Sequence, residues 1–149
     1  MSRMRPNDRG QRMSLVLDTG PVLALLDADD PDHARCARLI DDSSETLVVP
    51  AATLVEIDYW CRKLLDITVW RSFVDDIANG AYRLVNLDAE GYQRASELEE
   101  QYAHLRLGVV DAAVIATCEA LGEDKVVTLD HRHFTVVKPM SGTALRLLP

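Results

Sequence analysis

The stretch Ser14-Leu15-Val16-Leu17-Asp18-Thr19-Gly20-Pro21 runs apolar for most of its first half, then meets an acid and a group of turn-forming residues. A short apolar run bounded by turn signals reads as a strand, here over about residues 14–18. The Thr19-Gly20-Pro21 group reads as a turn. Asp18 then stands at the carboxyl end of a core strand. Carboxylates are seldom buried there unless they are paired or hold a metal.

The rest of the chain alternates around this strand. Asp30-Pro31 reads as an N-cap followed by proline in the first helical position, opening a helix through Ala34, Ala37, Leu39 and Ile40. Thr46-Leu47-Val48-Val49 is a second strand, stopped by Pro50. Two helical stretches, about 51–65 and 67–79, follow, and Asn79-Gly80 closes the second as a helix end does. Tyr82 to Leu87 reads as a third strand, and Asp88 as the cap of a helix over about 89–103. Gly108 breaks the chain before an Ala-rich helix of about 109–121 that ends near Gly122. Val126-Val127-Thr128-Leu129 is a fourth strand and Thr135-Val136-Val137 a short fifth.

Strands separated by helices predict an α/β fold, with a central, mostly parallel sheet of about five strands covered by helices on both faces. Ligands of such sheets bind beyond the carboxyl ends of the strands. Asp18 and Asp130 each fall at such an end. Asp111, framed by Val109-Val110 and Ala112-Ala113-Val114-Ile115, falls in the first turn of its helix, where the helix dipole favours an anion. Glu56, inside the apolar stretch from Pro50 to Trp60, sits about two turns into its helix and can reach the same rim.

Each acid also has an ordinary reading. Asp18 and Asp130 could start turns, Asp111 could cap a helix, and Glu56 could lie on a solvated stripe. Four at one sheet edge instead describe an acidic cluster suited to magnesium, which takes oxygen ligands and is held directly by one or two carboxylates. A bound ion brings water into nucleophilic range near neutral pH and stabilises charge on a leaving oxygen. Direct metal contact is assigned to Asp18 and Asp111. Glu56 and Asp130 then orient metal waters or complete a second site, while the hydroxyls of Thr19 and Thr128 hold the carboxylates in place.

Composition bounds these readings. At 149 residues, 48% of them hydrophobic, the chain fits one domain with a sizeable core. The division is residues 1–13 as a basic arm, flexible or lying upstream of a true start at Met13, and residues 14–149 as one domain. No apolar run approaches the roughly 18–20 residues of a membrane span, and the arm, with Arg3, Arg5, Arg9 and Arg12, has no hydrophobic segment of the secretory kind. Cys36, Cys61 and Cys118 are odd in number, widely spaced and without a CxxC pair, which points to core thiols in a reducing cytoplasm. The net charge of −8 excludes a protein that coats nucleic acid by counterion release. It leaves room for a nuclease that meets its substrate through bound cations, and for a basic protein partner.

The ordered blocks resemble a known family. Val16-Leu17-Asp18-Thr19-Gly20-Pro21-Val22-Leu23-Ala24-Leu25-Leu26 is similar to the opening of PIN domains, as in the VapC-type toxins of bacterial toxin–antitoxin pairs. Pro50-Ala51-Ala52-Thr53-Leu54-Val55-Glu56, Asp111-Ala112-Ala113-Val114-Ile115-Ala116 and Thr128-Leu129-Asp130-His131-Arg132-His133-Phe134 follow in the family's order, so the resemblance covers about residues 14–140. It implies a three-layer sandwich and a magnesium- or manganese-dependent endoribonuclease. It further implies homodimers, RNA targets that include tRNAs and ribosomal RNA, and silencing by a VapB-like antitoxin. The family's four acids fall on Asp18, Glu56, Asp111 and Asp130.

Other readings compete. His131-Arg132-His133 beside Asp130 could begin a zinc site, though a third and fourth ligand are not evident in the sequence. Alternatively, an imidazole or Arg132 meets RNA phosphate, or both histidines are exposed. A phospho-receiver would gather acids at strand ends and use Asp88 as acceptor, with Thr128 and Lys138 in support. However, two helical stretches between the second and third strands are one too many for it, and the first strand lacks its paired acids. A PIN scaffold without activity is disfavoured by the complete set of four acids.

Overall fold

The computed structural model describes residues 13–140, 142 and 144–149. Its elements, in chain order, are β1 (Ser14–Leu17), α1 (Thr19–Leu26), α2 (His33–Asp41), β2 (Thr46–Pro50), α3 (Leu54–Leu64), α4 (Ile67–Ala78), β3 (Arg83–Val85), α5 (Ala89–Gln101), α6 (Val109–Leu121), β4 (Lys125–Val127), α7 (His131–Phe134) and β5 (Arg146–Leu148). Short 3-10 turns at Ala51–Thr53 and Ala103–Leu105 complete the set.

All four strand pairings are parallel, and the strands lie in the order β3-β2-β1-β4-β5. The chain steps outward from β1 through β2 to β3, then returns to β1's other side for β4 and β5. That reversal opens a crevice at the carboxyl ends of β1 and β4, the switch point at which ligands of open α/β sheets bind. A receiver fold has the order 2-1-3-4-5 instead, so strand order alone separates the two architectures.

Alternating side chains build two cores, one on each face of the sheet. Val16, Val48 and Val126 face α5, α6 and the segment through Phe134 and Val137. Leu15, Leu17, Val49 and Val127 face Val22 of α1, Ile57 and Cys61 of α3 and Phe73 of α4. The result is a three-layer α/β sandwich. Seven consecutive residues of α6, Ala112 to Cys118, are buried, the mark of a helix enclosed on every side. Its alanines allow close approach to the sheet and to α5. Cys36, Cys61 and Cys118 are all buried and free.

Several expected boundaries shift. Thr19-Gly20-Pro21 is the first turn of α1 rather than a free turn, because Asp18 accepts from the Thr19 N–H and starts a helix. The next helix begins at His33. Asp30 spends its side chain on the Asp32 N–H, and Pro31 lies in the turn before Asp32. The stretch expected as 51–65 divides into a 3-10 turn and α3, so Glu56 is in the first turn of α3, not two turns in. β3 keeps only Arg83–Val85, and β4 ends at Val127, before Thr128 and Leu129.

Thr135-Val136-Val137 is not a strand. Thr135 caps the carboxyl end of α7, and Val137 buries itself in the core from a loop. The fifth strand is Arg146–Leu148, whose Leu147 pairs with Val126. The basic arm lies outside the described residues apart from Met13, whose carbonyl accepts from the Thr46 N–H at 3.2 Å.

Asp88 has a local duty. Its Oδ1 accepts from the Gly91 N–H at 2.8 Å and caps α5. Replacing it with alanine should cost about 1 kcal/mol of stability, measured by urea unfolding. No loss would show that the cap is idle.

Candidate active site

Asp18, Glu56, Asp111 and Asp130 reach the crevice from four elements and line one cleft of about 570 Å³, together with Thr19, Gly20, Leu23, Trp60, Leu129, His131 and Arg132. Asp18 follows β1 and starts α1. Glu56 stands in the first turn of α3 and Asp111 in that of α6, while Asp130 caps α7. The four residues singled out in the sequence therefore line one cleft, all of them at or near helix amino ends.

Asp18 is the most enclosed, at 7% exposure. Its Oδ1 accepts from the Thr19 N–H at 2.8 Å, and its Oδ2 accepts from the Thr128 hydroxyl at 2.9 Å. Burial, reinforced by the charges of Asp111 and Glu56, pushes its carboxyl up from 3.8 to about 6, against the pull of these two donors. Glu56 is raised by burial and then by Asp111, with the Thr19 hydroxyl, 3.4 Å from Oε1, opposing. Asp111 is raised by burial and by Asp130, with His133 opposing. Each acid in the chain of influence makes its neighbour's charge costlier.

Thr19 and Thr128 hold this arrangement. Thr19 touches Asp18 with its N–H and Glu56 with its hydroxyl. The Thr128 hydroxyl donates to Asp18 and accepts from the Asp130 N–H at 3.1 Å, tying the ends of β1 and β4 together. Asp130 itself accepts from the Arg132 N–H at 3.2 Å, and the Arg132 side chain is 3.5 Å away and largely exposed. An exposed pair of that kind contributes little.

His133 is the contact that the sequence left unresolved. Its Nδ1 lies 3.1 Å from Asp111 Oδ2 and 4.0 Å from Asp130 Oδ2. The imidazole is half-buried between two acids, not free, and the three-residue spacing from Asp130 on one helical turn is the signal that could have placed it. Among the described residues, no three carboxylate, imidazole or thiol groups meet as a ready metal cage. The donors are hard oxygens whose negative charge is only partly countered by protein groups, a donor set that matches magnesium or manganese.

Comparisons with known proteins give the family and the fold. The family model described as PIN domain matches residues 15–138. The chain belongs to the PIN-domain family. Within it, the chain is 30% identical to Ribonuclease VapC26 of Mycobacterium tuberculosis over 135 residues, 91% of this chain and 100% of that protein. Its fold is similar to that of Mycobacterium tuberculosis VapC20, a sarcin-ricin loop cleaving toxin, with a TM-score of 0.73, 17% identity and coverage of 79% of this chain and 91% of the other. It is also similar to DNA-bound VapBC from Salmonella typhimurium, with a TM-score of 0.65, 19% identity and coverage of 91% and 96%.

The raised acids set a pH dependence for the metal-free protein. A carboxyl titrating near 6 when folded and near 3.8 when unfolded keeps its proton longer in the native state. Stability therefore falls as pH rises from about 4 to 7. For Asp18 alone the loss is on the order of 3 kcal/mol. Asp18→Asn should flatten this slope in chelator-treated protein; urea unfolding across that range with the same slope in both proteins would contradict the assignment.

Proposed function

We propose that this chain is the toxic endoribonuclease of a type II toxin–antitoxin pair. It cleaves RNA by phosphodiester hydrolysis with magnesium or manganese at Asp18, Glu56, Asp111 and Asp130. The observation that carries this reading is the convergence of four carboxylates from four elements on one cleft at the sheet's switch point, in a chain whose relative is a named ribonuclease. The bound ion supplies Lewis-acid charge to the scissile phosphodiester and to the attacking water.

The chain's own residues set up that chemistry. Asp18, fixed by two hydrogen bonds, and Asp111, steadied by His133, provide the direct contacts to the ion. Glu56 and Asp130 orient water at the rim. Thr19 and Thr128 keep the carboxylates aimed into the cleft. Cys36, Cys61 and Cys118, all unpaired, suit a reducing cytoplasm, and among the described residues no helix is long and apolar enough to cross a membrane. Residues 14–149 act as one PIN-like domain and pair as a homodimer, with a tRNA or ribosomal RNA as substrate.

The cognate partner is a VapB-like antitoxin, consistent with solved relatives that are VapBC and toxin–antitoxin complexes. Val55 and Tyr59 are exposed four residues apart on α3, and Ile67 and Val74 are exposed seven apart on α4. Each pair shares a helix face; in this reading an antitoxin tail packs its apolar side chains on these helices and extends from them to the Asp18–Asp111 rim. An arginine in that tail, bidentate on a carboxylate, would compete with the ion or with the scissile phosphate.

Three outcomes test this. Magnesium or manganese should switch on RNA cleavage, and excess chelator should abolish it. Asp18→Asn and Asp111→Asn should each lower cleavage about a hundredfold or more, and Glu56→Gln and Asp130→Asn about ten- to a hundredfold. Asp88→Asn should leave it unchanged. Cleavage that survives in chelator, or in Asp111→Asn, would overturn the site. For the partner, deleting the antitoxin tail should weaken inhibition. Full inhibition without the tail would overturn that mode of inhibition and leave the nuclease reading intact.

A further inference from the structure

The acids occupy only part of the cleft. Leu23, Trp60 and Leu129 line it as well, and an ion with its waters has no use for an apolar wall. A nucleotide does, because it carries a phosphate and a flat apolar face together. Trp60 follows Glu56 by four residues on α3, so the two share one helix face. The indole thus stands one helical turn from a carboxylate of the site.

Its surroundings suit a base and its backbone. Trp60 is half-buried and packs edge-on against Tyr59, with centroids 5.1 Å apart and rings at 82°. That packing limits the rotation of the indole. The ammonium of Lys63 stands 5.2 Å from the Trp60 centroid and 5.5 Å from that of Tyr59. On a chain of net charge −8, a cation held over the indole of a cleft-lining residue offers a contact for phosphate that most of the surface does not.

We propose that Trp60 is a positioning residue of the ribonuclease, a platform on which the base next to the scissile phosphate stacks while Lys63 meets the neighbouring phosphate. The proposal rests on the nuclease reading above and adds an RNA-binding subsite to it. Stacking does not depend on base identity, so the platform holds the chain in register without choosing its sequence. An antitoxin side chain is the alternative occupant. The adjoining carboxylates and Lys63 favour an RNA that brings its own cation and its own phosphate.

The test measures binding apart from cleavage. Fluorescein-labelled octauridylate and an abasic octamer with the same backbone are titrated in magnesium against Asp18→Asn protein. The same titrations are made with Trp60→Ala, Trp60→Phe and Lys63→Gln added to it. Octauridylate should bind about ten- to a hundredfold more tightly than the abasic octamer. Trp60→Ala should erase that difference and Trp60→Phe should keep most of it, while Lys63→Gln should weaken both ligands alike. Equal binding of the two octamers by the parent, or a base preference that survives Trp60→Ala, would overturn the platform. A preference lost equally in Trp60→Phe would show that the indole serves only packing and would overturn it too. Cleavage by the otherwise unaltered protein is assayed separately, so failure of the platform and failure of the nuclease reading give different results.

Discussion

A carboxylate at the end of the central strand is the constraint on which the rest of the structure depends. β1 has a neighbour on each side, and Asp18 leaves it at 7% exposure, its N–H tied to the Val127 carbonyl at 2.9 Å. Among the described residues, no arginine or lysine pairs with its charge. Two neutral donors do, and they cannot offset the desolvation that holds its carboxyl near 6. Ionising a carboxyl so placed is costly, and the charges of Asp111 and Glu56 add to that cost.

The surrounding packing determines how firmly each acid is held. Asp111 rides on α6, the helix most enclosed by the core, so its position follows from the tightest packing in the molecule. Asp18 is fixed by the strand before it and the helix after it. Glu56 and Asp130 stand nearer the open side, the one held by a long hydroxyl contact and the other by the first turn of a four-residue helix. Two acids are thus set by the core and two stand nearer the open side.

Charge is also separated along the sheet. At the amino ends of the strands, Lys125 and Glu45 form a mostly buried pair, and the Ser14 N–H donates to Glu123 at 2.8 Å. The carboxyl end counters its acids only in part, with Arg132 3.5 Å from Asp130 and His133 3.1 Å from Asp111. Screening shortens the reach of the net charge to about 8 Å in physiological salt, so the groups of the cleft act mainly at contact.

The sequence by itself determined the α/β class, the parallel sheet and all four acids. Those features arise from local patterns: apolar runs of strand length, helix-spaced apolar residues, and acids set against both. The tertiary structure decided what local pattern does not encode. Val136-Val137 has strand composition, yet the sheet edge went to Arg146–Leu148, because pairing beside β4 depends on where the returning chain arrives. Thr19-Gly20-Pro21 became helix once Asp18 turned its side chain to cap it. His133 stands 22 residues from Asp111 in the chain, and Trp60 is 51 residues before that same acid. The reversal of strand order at β1 and β4, a long-range event, brings Trp60 into the cleft of Asp111, and the packing of α7 beside α6 sets His133 against that acid.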